Sequence, residues 1–156
     1  MGAACNLQRC SATAALCLAL CGVWVWQILT GSMPAYRGGW DVAGALAATF
    51  CHGSWLHLLA NVAALWWFRP RWGTVAVGLA VGVAGMMACC HGAPVCGASG
   101  VVFACYGRRG AWDQGLHWTV LWCNALMAPW GTVAVELHLV CYAAGVAVWR
   151  VVNKKR

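Results

Sequence analysis

"VCGASGVVFACYG", Val95 to Gly107, decides how the chain must fold. Its residues are those of a membrane helix, but it covers 13 residues, about 20 Å at 1.5 Å per residue against a hydrocarbon core of about 30 Å. The preceding "HGAPVCG", His91 to Gly97, must then dip into the protein, because bare loop backbone cannot face lipid. Ser99, set among Gly97, Ala98 and Gly100, is thereby expected to open a helix that begins inside the membrane. A lone hydroxyl there is either bonded back to its own helix or aimed at partners on other helices.

The rest of the chain fits a membrane setting. Of 156 residues, 63% are hydrophobic and 8% charged, where soluble domains carry about 25% charged residues. Mean hydropathy is +0.71. Six spans are expected, near 12–30, 53–68, 73–90, 95–107, 115–129 and 133–151, flanked by tails 1–11 and 152–156. The first run is long for a signal peptide and lacks a small-residue cleavage box, so it reads as a retained anchor. With a cytoplasmic N-terminus, nine of the ten basic residues fall on the cytoplasmic side and only Arg37 lies outside. That asymmetry places both termini in the cytoplasm and implies a multi-pass protein of the cytoplasmic membrane. The net charge of +7 follows these flanks, which suits anionic lipid rather than nucleic acid. Gly31 to Cys51 is the longest connection and suits an outer loop lying partly on the membrane surface.

The eleven cysteines never form a CxxC pair, and no zinc site is expected. Most, including Cys17, Cys21, Cys89, Cys90, Cys105, Cys123 and Cys141, sit in apolar runs as small packing residues. Only Cys51 and Cys96 lie where an oxidising compartment reaches.

Heights above the cytoplasmic arginines follow from the helix rise: about 12 Å for Asn61, 14 Å for Ser99 and 18 Å for His57 and His138. Four polar side chains on three spans thus share one layer. Each alone has an ordinary reading as glue between helices; together, polar groups in the membrane tend to face a cavity or each other. His57 and Asn61, four apart, share a helix face. His138, Cys141 and Gly145 share another, with small residues that permit close approach to the Ser99 helix. A hydroxyl, an imidazole and further donors at one depth are the parts of nucleophilic acyl transfer. Ser99 at a helix N-terminus also has backbone N–H groups and the positive dipole end nearby.

Three motifs resemble those of the rhomboid intramembrane serine proteases: "HGSWLHLLAN" (His52 to Asn61), "GASG" (Gly97 to Gly100) and "HLVCYAAG" (His138 to Gly145). In order and spacing the similarity covers roughly residues 36–149. The resemblance implies an all-α, six-transmembrane-helix bundle with a short central helix starting inside the membrane. It implies Ser99 as nucleophile and His138 as general base, with no acidic third member and no cofactor or metal. His57, Asn61 and the Ser99 N–H would bind the oxyanion, His52 would tie the outer loop to the site, and Phe103 would pack on His138. Substrates would be transmembrane proteins, reached from an active site open to the outer face.

The sequence departs from the family at Cys141, where glycine is usual, and at Trp40-Asp41, where a Trp-Arg pair is usual and lies nearer the first histidine. Small size and Glu136 are similar to the bacterial sorting-type branch. Two other readings stand beside the protease: a catalytically silent relative that binds and retains membrane proteins, and a haem or metal site on His57 and His138. Glu136 reads as a solvated carboxylate or as a group tuning His138; His91 reads as a loop residue and His117 as an interfacial one.

Overall fold

The computed structural model describes residues 2–90, 94–110, 115, 118, 119, 122 and 135–153. Among these the fold is all-helical: α1 (Gly2–Thr30), α2 (Val42–Phe50), α3 (Trp55–Phe68), α4 (Trp72–Cys89), α5 (Ser99–Gly110) and α6 (Val135–Asn153). Two helices, Cys10–Thr30 within α1 and Trp72–Cys89, are long and apolar enough to cross a membrane, and α2 with α3 makes a third crossing if that bent pair is one span. These helices mark a membrane protein. The expected fifth span, 115–129, falls almost wholly outside the described residues, as do Cys123, His91 and His117.

α1 begins ten residues before the expected span, because Ala3 to Cys10 holds neither proline nor glycine to stop it. The Gly31–Cys51 connection carries a helix, α2, that its mixed composition did not announce. Asp41 starts it: the carboxylate accepts from Gly44 N–H at 2.8 Å, satisfying one of the four donors a helix N-terminus leaves open. α2 meets α3 at 87°, and Ser54 caps α3 by accepting from His57 N–H. At the other end of α3, Arg69 takes a left-handed conformation and its N–H closes on Leu65 O at 2.9 Å. Pro70 follows, where a helix could not continue.

α5 sits against α4 and α6 with backbones nearly touching. A Cβ at Gly145 would run into the Ala104 carbonyl, one at Gly107 would meet the Tyr142 carbonyl, and one at Gly78 would fall 2.7 Å from Val101 Cα. Gly100 meets Gly82 of α4 and Cys141 of α6 at a single point. Small residues thus set the helix spacing, as expected where lipid supplies no hydrophobic drive for helix association. Two apolar clusters flank this junction. One joins α1, α3 and α5 through Leu20, Leu65 and Val101; the other joins α2, α4 and α6 through Ala48, Met86 and Leu137.

Candidate functional site

The helix carrying Ser99 starts at that residue. Val101 and Val102 N–H groups both bond to Ala98 O, at 3.0 and 3.2 Å. Ser99 is therefore in the first turn, and the N–H groups of Ser99 and Gly100 have no acceptor within the helix. The turn leading into it is pinned to the rest of the protein. Tyr36 and Val95 exchange two backbone hydrogen bonds of 2.9 Å, and Gly97 N–H donates to Ala48 O at 2.9 Å. The dip of this segment into the protein, expected from the short length of Val95 to Gly107, thus has its backbone partners in α2 and the residues before it.

Gly97 has φ +119°, and a Cβ there would fall 2.5 Å from His57 Cε1 and 2.8 Å from His57 Nε2. The position requires glycine twice over: for its backbone conformation and for the imidazole pressed against it. His57 is thereby held beside the turn that carries Ser99.

His52 lies in the bend between α2 and α3, fully buried. Its ring meets that of His57 edge-on, centroids 5.0 Å apart. Asn61 Nδ2 lies 3.1 Å from His52 Nε2 and donates to His57 O at 3.1 Å. Both N–H bonds of this amide are used inside the protein. Asn61, expected as an oxyanion donor, here braces the two histidines and must rotate to reach a ligand.

His138 comes from the other side. Its ring stacks on Phe103, centroids 4.1 Å apart and planes within 10°, as expected of that aromatic. Phe103 lies one turn after Ser99 on the same face of α5. Cys141, one turn after His138, puts its sulfur 3.3 Å from where a Gly100 Cβ would be. These two contacts fix the register of α6 on α5 and set the His138 imidazole against Phe103, one helical turn from Ser99. His57 and His138 are also within electrostatic reach of one another. Ser99, 8% exposed, lies at the edge of the buried interior.

No protein-family model and no curated protein matches this chain. Its site must therefore be read from its own geometry.

One residue that motif spacing did not single out holds the site from α1. Gln27 Oε1 accepts from His52 N–H at 3.0 Å, and Gln27 Nε2 donates to His52 O at 3.2 Å. The amide satisfies both backbone groups of a buried residue in the bend. The signal for it in the sequence was the one amide in "VWVWQILT" (Val23 to Thr30), since a polar group in a membrane span usually has an internal partner. Glu136 lies in the first turn of α6 and is exposed, which favours a solvated carboxylate complementing the helix dipole. Among the described residues no cluster of three or more His, Cys, Asp or Glu is placed to hold a metal ion.

Proposed function

We propose that the chain is an intramembrane serine protease of the rhomboid type, built on a six-span bundle, that hydrolyses a peptide bond in or beside a transmembrane segment of another protein. The observation that carries this reading is the stacking of His138 on Phe103, one turn along α5 from Ser99, the residue that opens that helix. The Ser99 hydroxyl adds to the scissile carbonyl carbon while His138 takes its proton. The tetrahedral oxyanion faces the Ser99 N–H, with His57 beside the same turn as a second donor. Collapse expels the amine, which takes the proton from His138 and leaves an acyl-enzyme. Water then attacks that ester with His138 again as base, and Ser99 is restored. Asn61 contributes by holding His52 and His57, and directly if its amide turns toward the oxyanion.

The topology that serves this chemistry puts both termini in the cytoplasm and opens the site to the outer face, where water is available. The test is cleavage of transmembrane peptides by detergent-purified protein. Ser99→Ala and His138→Ala should each bring cleavage to background, and the double variant should be no worse, because the two residues act as one unit. Asn61→Ala should cost less than either, at most the roughly 10²–10³ associated with one oxyanion donor. A serine-directed phosphonate should label Ser99 in the parent and not in His138→Ala. Undiminished cleavage by pure Ser99→Ala would end the protease reading and favour a protein that binds and retains membrane partners.

A further inference from the structure

The reaction proposed above uses none of the chain's eleven cysteines, yet two of them lie together beside the turn that carries Ser99. Cys51 ends α2, and Cys96 precedes Gly97 in the approach to α5. Cys51 N–H and Gly97 N–H both donate to Ala48 O, at 3.2 and 2.9 Å. The Gly97 nitrogen is bonded to the Cys96 carbonyl carbon, so this shared acceptor draws the backbones of the two cysteines together. A disulfide needs Cα atoms roughly 4.4–6.8 Å apart, and two amides on one oxygen bring their residues to that scale. The side chains follow the backbone. The Cys96 sulfur lies 4.0 Å from where a Gly53 Cβ would be, two residues past Cys51, and Gly53 N–H faces that sulfur. The Cys51 and Cys96 thiols are within electrostatic reach of each other, and both are free in this structure.

The backbone on either side of Cys96 is anchored, Val95 to Tyr36 and Gly97 to Ala48. What remains to be adjusted is the torsion of two side chains. Cys51 is 2% exposed, whereas Cys96 is half-buried and Gly53, Ser54 and Pro94 near it are exposed. Cys96 is thus the thiol that an outside reagent meets first. Other cysteines have different neighbours: Cys89, Cys90 and Cys141 have one another where α4 meets α6, and Cys17 and Cys21 follow a turn apart on α1.

We propose that Cys51 and Cys96 are a disulfide site, closed by a disulfide-bearing oxidant of the outer compartment, that locks the turn carrying Ser99 to the α2–α3 bend. The Cys96 thiolate attacks one sulfur of the oxidant's disulfide and displaces the other as a thiolate, giving a mixed disulfide. The Cys51 thiolate then attacks Cys96 Sγ and displaces the second oxidant sulfur. The two cysteines give up two electrons and two protons, and the oxidant leaves as two thiols. The bridge closes a loop that contains all of α3 and α4 and holds the end of α3 that carries His57 against the Gly97 turn. That the oxidant acts from outside, where disulfides persist, rests on the topology proposed above; the pairing of the two sulfurs does not.

The test uses the full chain purified in mild detergent, fully reduced and then exposed to glutathione disulfide. After acid quenching, unfolding, alkylation and digestion without reductant, mass spectrometry should find Cys51 and Cys96 in one linked pair of peptides, separated by dithiothreitol. The oxidised chain should melt about 5–10 °C above the reduced one, and Cys96→Ser should show neither link nor shift. Because the link is read on the parent chain, it decides the matter even should Cys96→Ser fail to fold. Alkylated thiols at Cys51 and Cys96 after oxidation overturn the proposal, as does linkage of either to another cysteine or to a second chain. Equal melting of the oxidised and reduced parent overturns the lock. Cleavage plays no part in this readout, so its failure and that of the protease reading are told apart.

Discussion

A single methyl group at residue 97 separates a working turn from a broken one. Gly97→Ala puts a Cβ 2.5 Å from the His57 ring at a backbone conformation that alanine adopts only at a cost of roughly 1–2 kcal/mol. The ring must move, and with it the group beside the Ser99 N–H. We expect this variant to insert but to lose at least 100-fold in cleavage, since misplacement of about 1 Å can cost that much. Cys141 behaves oppositely. It is fully buried and its sulfur packs at Gly100; Cys141→Gly relieves rather than creates contact. Cleavage by Cys141→Gly should stay within a few-fold of the parent, and a complete loss with the fold intact would contradict the pairing of Ser99 with His138. Phe103→Ala removes the ring on which His138 stacks. It should lower kcat with little change in KM, and Phe103→Tyr, which keeps the stacked ring, should restore the rate.

Among the elements, the α5–α6 pair and the short helix α2 carry the clearest expectations. Gly145 and Gly107 allow main chain to touch main chain, so Gly145→Val must push α6 away from α5 and with it His138 from Ser99. Overpacking of this kind costs about 1–3 kcal/mol or more, and a fall in detergent melting temperature together with loss of cleavage would report it. Asp41→Ala removes the cap of α2 and should cost about 1 kcal/mol, measurable as a small drop in thermal stability. This element was the part of the fold least legible in the sequence. "VAGALAATF" (Val42 to Phe50) has no polar face to betray its period, and it follows a run of Gly, Pro and Trp. The start of α5 was legible, because the apolar run after Ser99 is too short to begin at the membrane surface. The His57–Asn61 pairing on one face was legible from spacing alone. The Gln27 clamp on His52 spans 25 residues and joins separate elements, so no local pattern encodes it.

For the molecule as a whole, length divides what composition had treated alike. α3, with 14 residues, and α5, with 12, extend about 21 and 18 Å, short of a full crossing. α1 and α4 meet the length and apolarity of a span by themselves. Composition sees only that all are apolar; how each short piece is completed depends on bends and on neighbouring backbone. Exposed tryptophans lie at both ends of α3: Trp55 in its first turn, and Trp66, Trp67 and, past the α3–α4 turn, Trp72 at the other. Such girdles anchor a protein at the two membrane–water interfaces. If the basic-residue asymmetry sets the orientation, a reporter fused at Gly39 should lie outside, and reporters after Arg109 and Arg156 in the cytoplasm. Opposite results at either cytoplasmic site would undo the proposed arrangement of spans.

The carbonyl of Ala48 accepts from two amides, Cys51 N–H at 3.2 Å and Gly97 N–H at 2.9 Å. One oxygen thus couples the end of α2 to the turn before Ser99, and no side chain takes part. Side-chain substitution cannot isolate this bond, because every replacement among the ordinary residues except proline leaves the amide in place. Replacing the Gly97 peptide nitrogen by an ester oxygen deletes the donor while leaving every side chain in place. This bond beside Ser99 is thus one that backbone chemistry can remove on its own and side-chain substitution cannot.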